Sequence, residues 1–280
     1  MKAIKLITAL AIAATLFSCE KTVVIDARQA NETIVIEGQV TNEPGMQYVK
    51  VSRSAGFYQT GSTDRVTDAV VSVTDDLGNT VPFVHNPTGK IETRGYYFDN
   101  SNFVGQPGRT YLLSVQVGSE LYEATDKMAA VTNIDSLSYR INEDELDDPK
   151  DTGKFYEILA FMKEPQETDD YYLFKFYRND SITYYFENSD IYFASDEGIG
   201  ENIDGIPSPV FFAIGDKAKF EVYSLSRNAF LFYNDLSTLI NSDGGMISPP
   251  PANPRSNLSN GALGLFRASA VNFATITIEE

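Results

Sequence analysis

His85 is the only histidine and Cys19 the only cysteine among 280 residues. A Ser/His/Asp or Cys/His arrangement would have to be built on His85. That residue stands beside the turn-forming run Asn86-Pro87-Thr88-Gly89, where an exposed strand-end histidine is the simpler reading. Zinc normally draws its ligands from several His or Cys side chains, so no metal site is expected. No G-x-x-x-x-G-K-[ST] loop or dinucleotide fingerprint occurs, and the run "GENIDG" at 200–205 carries acids where a phosphate loop needs open amides and a lysine. Carboxylates remain, because glycoside hydrolysis needs only two. The candidate pairs are Asp169 with Asp170, Asp196 with Glu197, and Glu201 with Asp204. All lie in hydrophilic loops, where acids are ordinarily just solvated. Tyr184, Tyr185, Phe186, Tyr192 and Phe193 flank the acidic loop at 196–205. If that loop closes a cavity, Tyr184, Tyr185 and Tyr192, with Glu201 and Asp204, form a ligand-binding mouth. The competing reading places these rings in cores and cross-strand pairs. Together these residues predict a protein without catalytic residues, metal or cofactor.

The lone thiol has a different explanation. Lys2 and Lys5 begin the chain, an apolar run extends to Phe17, and Ser18-Cys19 closes it. This is the layout of a secretory signal peptide, and the apolar run is too short for a membrane span. The ending Leu16-Phe17-Ser18-Cys19 resembles a bacterial lipobox. That resemblance implies cleavage before Cys19 and a covalent lipid on its sulfur as a membrane anchor. Two or three acyl chains hold a protein stably where one does not. The alternative is a plain secreted protein with a chance cysteine.

The chain carries 39 acidic and 22 basic residues, a net charge of −17. Nucleic-acid binding requires a basic footprint and is excluded as a function class. There are 16 Tyr and 18 Phe but no Trp, and Tyr and Phe favour strands. Short alternating runs separated by turn residues fill the first half: "TIVIEGQV" at 33–40, "QYVKVSRS" at 47–54, a hairpin over 68–85, and "GRTYLLSVQV" at 108–117. They predict a β-sandwich over 33–132, after a signal peptide at 1–18 and a lipidated tether at 19–32. Residues 133–154 read as a boundary. Its acidic part, "INEDELDDPKDTGK" at 141–154, lacks the D-x-[DN]-x-[DN]-G pattern of a calcium loop and reads as a solvated linker. The second half, within 133–280, is a larger antiparallel β domain, either a curled sheet or a barrel. Tyr172, Phe174 and Phe176 fall on one strand face, and 196–209 reads as a long loop. At 224–245 the apolar period changes to that of a helix near 226–242, capped by Ser224 or Ser226 and ended by Gly244-Gly245. The fold class is therefore all-β with one packed helix.

The stretches "DAVVSVTDDLGNTVPF", "GYYF" and "GRTYLLSVQVGSELYEA" resemble the immunoglobulin-like or transthyretin-like modules of secreted bacterial proteins. Further along, "EILAFMKEP", "DDYYLFKFYRN" and "GGMISPPPANPRSNLSNGALGLFRASAV" resemble a family of Bacteroidota outer-membrane lipoproteins of unknown function. Ser256-Asn257-Leu258, Gly261, Gly264, Leu265 and Phe266 are the most specific part. The resemblance implies an outer-membrane location, compatible with surface exposure, and a TonB-dependent transporter as partner. It implies no reaction. The expected role is a non-enzymatic accessory to such a transporter in nutrient capture or uptake. The alternative is a cell-surface adhesion or structural lipoprotein with no transport role.

Overall fold

The computed structural model describes residues 32–55, 63–86, 88–147, 152–183, 191–242 and 252–280, all in one compact unit. Cys19, Tyr184, Tyr185 and Gly244-Gly245 lie outside the described residues. In chain order the elements are β1 (Ile34–Thr41), β2 (Tyr48–Arg53), β3 (Val70–Asp75), β4 (Thr80–His85), β5 (Tyr96–Asp99), β6 (Thr110–Val117), β7 (Glu120–Lys127) and β8 (Ile134–Ile141). Then follow α1 (Glu143–Asp147), β9 (Tyr156–Lys163), β10 (Tyr171–Arg178), β11 (Ser181–Ile182), β12 (Tyr192–Ser195), β13 (Asn202–Pro207), β14 (Lys217–Leu225), α2 (Arg227–Ile240), β15 (Leu263–Ser269) and β16 (Val271–Thr277). The chain is all-β with one substantial helix, as its alternation and aromatic content predict. No helix among the described residues is long and apolar enough to cross a membrane.

Eight strands form one sheet in the order β15-β1-β2-β5-β4-β3-β6-β7. Strict alternation puts Tyr111, Leu113 and Val115 of β6 inward, and Tyr122, Ala124 and Asp126 of β7 likewise. The sheet curls so that its halves face each other across one core, in which Ile36, Val49, Val71, Tyr97, Leu113 and Phe266 are buried. Each such side chain contributes roughly 1.5–3 kcal/mol by burial. The two edges nearly meet. The Ala268 N–H of β15 donates to the Asp126 carboxylate of β7 at 2.8 Å, and Ser269 makes a parallel bridge with Ala129. Curling brings the edge strands together and leaves little unpaired backbone exposed.

β15 crosses the boundary expected at 132/133: it runs parallel to β1, with Ile36 opposite Gly264, and completes the first sheet from the far end of the chain. The region expected to be a boundary also holds a strand. β8 pairs antiparallel with β9, so residues 134–141 belong to the second core. Likewise the loop expected over 196–209 contains β13, which pairs with the other side of β9 and carries a bulge between Asp204 and Ile206.

The second core lies between the sheet β13-β9-β8 and the sheet β11-β10-β14-β16, with β12 also pairing with β10. Ile158, Ala160 and Met162 of β9 meet Tyr172, Phe176, Phe220 and Val222. Tyr172, Phe174 and Phe176 share one face, as their spacing predicts. α2 covers the opposite face of β10 and β14, where Leu173, Tyr223, Leu225 and Ala229 pack with Leu265 of β15. Of the two serines able to cap this helix, Ser226 does so, its hydroxyl accepting from the Ala229 N–H at 3.2 Å. Ser224 is instead buried at the end of β14, accepting from the Ala270 N–H at 3.0 Å.

Candidate functional site

The two sheets of the second core do not close on each other along their whole length. Between β9 and β13 on one side, and β10, β12 and β14 on the other, they leave a cleft of about 330 Å³. Ala160, Phe174, Phe176, Tyr192, Ile206 and Phe220 are among its lining residues. The cleft arises from side-chain size. Ala160 is small where Ile158 and Met162 on the same face are large. Tyr192 stands edge-on to Phe176, with ring centroids 5.7 Å apart. Among the described residues the lining contains no carboxylate, lysine, histidine or serine, and Tyr192 supplies its only side-chain hydroxyl. Such a surface recognises an apolar or aromatic body with one polar handle.

The acidic residues expected at the same mouth lie elsewhere. Glu201 lines a separate polar cleft of about 760 Å³, together with Glu164, Thr168, Asn133 and Asp135. Asp204 is exposed on β13 and lines neither cleft. The structure thus parts Tyr192 from Glu201 and Asp204. His85 ends β4 as expected, but it is half-buried rather than exposed. Its Nε2 accepts from the Gly95 N–H at 3.0 Å. Burial first, and then the charge of Arg94, hold its pKa below the usual value, which suits an acceptor imidazole with a structural role.

Beside Glu164, which lines the polar cleft, acids from three strand ends converge: Glu164 just after β9, Asp170 just before β10 and Asp196 just after β12. One carboxylate oxygen from each lies within 4.8 Å of the others. The Asp170 N–H donates to Asp196 at 2.8 Å, and the Tyr172 hydroxyl donates to Glu164 Oε1 at 2.9 Å. Burial first, with the charges of Asp170 and Asp196 adding to it, raises the Glu164 pKa against the opposing Tyr172 hydrogen bond.

A family model described as "Domain of unknown function (DUF4249)" matches residues 20–273. The chain belongs to this family. The DUF4249 match spans both sheet systems and both clefts. A solved structure titled "Cytokine receptor complex - Crystal form 1A" aligns at 10% identity over 88% of this chain and 95% of that one, with a TM-score of 0.23. No curated protein matches the chain.

The motif that carried the sequence resemblance has a structural basis in this DUF4249 chain. Asn257 acts as a surrogate strand partner: its side-chain amide donates to the Phe266 carbonyl at 2.7 Å, and its Oδ1 accepts from the Phe266 N–H at 3.1 Å. Ser259 ties the same segment to β7 by accepting from and donating to Glu123 backbone atoms at 2.8 Å each. These residues position β15.

Sequence reasoning missed a buried charged group on the helix-covered face. Arg267 is 4% exposed, donates to the Gln39 side chain, and stacks 4.7 Å from the Tyr223 ring centroid. The Lys175 ammonium sits 4.8 Å from the same ring. Burial, then the neighbouring Arg267 charge, brings the Lys175 pKa down to about 8. Glu221, opposite Lys175 in the ladder, is ion-paired to Lys219 at 2.6 Å and accepts from Tyr177 and Tyr223. The cluster joins β15 to the second sheet. Only the alternation Lys175–Tyr177 opposite Lys219–Glu221–Tyr223 could have signalled it, and that requires knowing the β10–β14 register.

Proposed function

We propose that this chain is a non-enzymatic outer-membrane lipoprotein that assists a TonB-dependent transporter in capturing or admitting a nutrient. The observation that carries the reading is the apolar cleft: among the described residues it is aromatic-lined, has one hydroxyl, and bears no acid, base or nucleophile. A cleft of this composition binds rather than transforms, and its volume falls at the small end of ligand pockets, about 300–1,000 Å³. The residues Leu16-Phe17-Ser18-Cys19 support the anchor, with lipid on Cys19 holding an acidic body at the membrane. The family match begins at Glu20, directly after that cysteine.

The cleft gives the first test. An environment-sensitive apolar fluorophore should bind the purified lipoprotein saturably, with one equivalent per chain. Ala160→Phe places a ring in the cleft and should weaken binding by about tenfold or more, a change of about 1.4 kcal/mol, with the circular dichroism spectrum unchanged. Absence of saturable binding in the unaltered protein, or equal binding in a folded Ala160→Phe variant, would remove the cleft from the reading.

A further inference from the structure

The convergence of Glu164, Asp170 and Asp196 is difficult to understand as a solvated acidic patch. Glu164 is 1% exposed, and its Oε2 is buried with no hydrogen-bond partner among the described residues. A buried carboxylate oxygen normally finds a donor or a cation, since desolvating it alone is unfavourable. The Tyr172 hydroxyl serves only Oε1. Two further carboxylates, both half-buried, face the same point, and no lysine, arginine or histidine forms an ion pair with any of the three among the described residues. Three carboxylates therefore share a small volume, and among the described residues one oxygen of the buried member lacks a donor.

We propose that these three carboxylates bind a calcium ion. The donor set is all oxygen, which suits a hard cation and does not suit zinc, whose sites favour nitrogen and sulfur. Calcium–oxygen distances of about 2.3–2.6 Å allow two ligands of one ion to lie up to about 5 Å apart, and the three oxygens fall within 4.8 Å of each other. Magnesium dehydrates reluctantly and is seldom held by an all-protein set of carboxylates, which favours calcium.

The topology gives the ion a task. Glu164 follows a strand of the β13-β9-β8 sheet, whereas Asp170 and Asp196 belong to the ends of β10 and β12 in the facing sheet. A cation held by all three staples the two sheets together at one end of the core that contains the apolar cleft. Sequence reasoning predicts no metal because it relies on compact ligand spacings. These ligands come from three separate strand ends, and in sequence Asp170 and Asp196 each pair with an adjacent acid rather than with each other.

The test uses the full lipidated chain in detergent, stripped with EDTA and then titrated with calcium chloride by calorimetry and thermal melting. Calcium should bind with saturable heat and raise Tm, while magnesium at the same concentration should do markedly less. Asp196→Asn and Asp170→Asn should each weaken calcium binding by at least about tenfold, because ligand charge sets affinity. In EDTA both variants should melt no lower than the parent, since each removes a repulsive charge. Glu92→Gln removes an exposed charge from the unrelated turn at 91–93 and should leave the response intact. Bound terbium in the unaltered protein should luminesce through the adjacent Tyr172 and be displaced by calcium, a readout that needs no variant. No saturable heat, no terbium signal, or a full calcium response in Asp196→Asn would each overturn the proposal.

Discussion

Gly264→Ala should be among the most damaging single substitutions in this protein, lowering its unfolding free energy by on the order of 4–5 kcal/mol. Gly264 has φ +105° and lies opposite Ile36 in the parallel β1–β15 pair. A Cβ there would sit 2.1 Å from the Ile36 carbonyl oxygen and 2.9 Å from its carbon. Both are backbone atoms in a fully paired strand, so neither can move without disturbing the ladder on both sides of β1. Marginal stability of about 5–15 kcal/mol leaves little reserve for such a loss. Gly261 supplies the control. It also has positive φ, +71°, but nothing lies within 4 Å of the place an added methyl would take, so Gly261→Ala should lose only about 1–2 kcal/mol from backbone strain. Urea midpoints for the two variants separate the contributions. Equal losses would show that the clash at Ile36 is relieved and that β15 is held less rigidly than its pairing implies.

Asp126→Asn should change the pH dependence of stability. Asp126 occupies an inward position on β7, and burial pushes its pKa up to about 6 from 3.8, although Ser226, the Ala268 and Lys127 N–H groups, and Arg267 all favour its charged form. A folded-state pKa above the unfolded value means that the native chain holds this proton more tightly. The resulting stabilisation is fully present below pH 3.8 and is lost as pH rises through about 6. The shift corresponds to about 3 kcal/mol. Asparagine keeps an oxygen to accept from Ala268 but does not titrate. The stability difference between the Asp126→Asn variant and the parent should therefore move by about 3 kcal/mol in favour of the variant between about pH 3 and pH 7. Chemical denaturation at several pH values checks this, and parallel profiles would contradict it.

The residues that are easy to read in sequence are those whose local pattern matches their final environment. β6 alternates cleanly because Tyr111, Leu113 and Val115 enter a core while Leu112 and Gln116 face solvent. Ser226 and the apolar period after it mark α2 for the same reason. β8 is hidden because it is an edge strand whose residues are mostly half-buried or exposed, leaving no strong alternation. β13 is hidden because Asp204, Gly205 and Pro207 are turn-type residues; an edge strand with a bulge tolerates them. The pairing of β15 with β1 depends on a contact between distant parts of the chain, which no local period encodes. The candidate sites divide similarly. Tyr192 is legible as an aromatic near a cleft, whereas its separation from Glu201 follows from β13 being a strand rather than a loop. Glu164 gives one weak signal, an acid closing the apolar run of β9.

The transport reading is tested most directly by what the native protein holds on to in its membrane. Mild detergent extraction and recovery through a tag placed after Glu280 should yield a TonB-dependent transporter in stoichiometric amount. Recovery of the protein alone, folded and still lipidated on Cys19, would contradict the accessory role and favour a surface adhesion or structural lipoprotein.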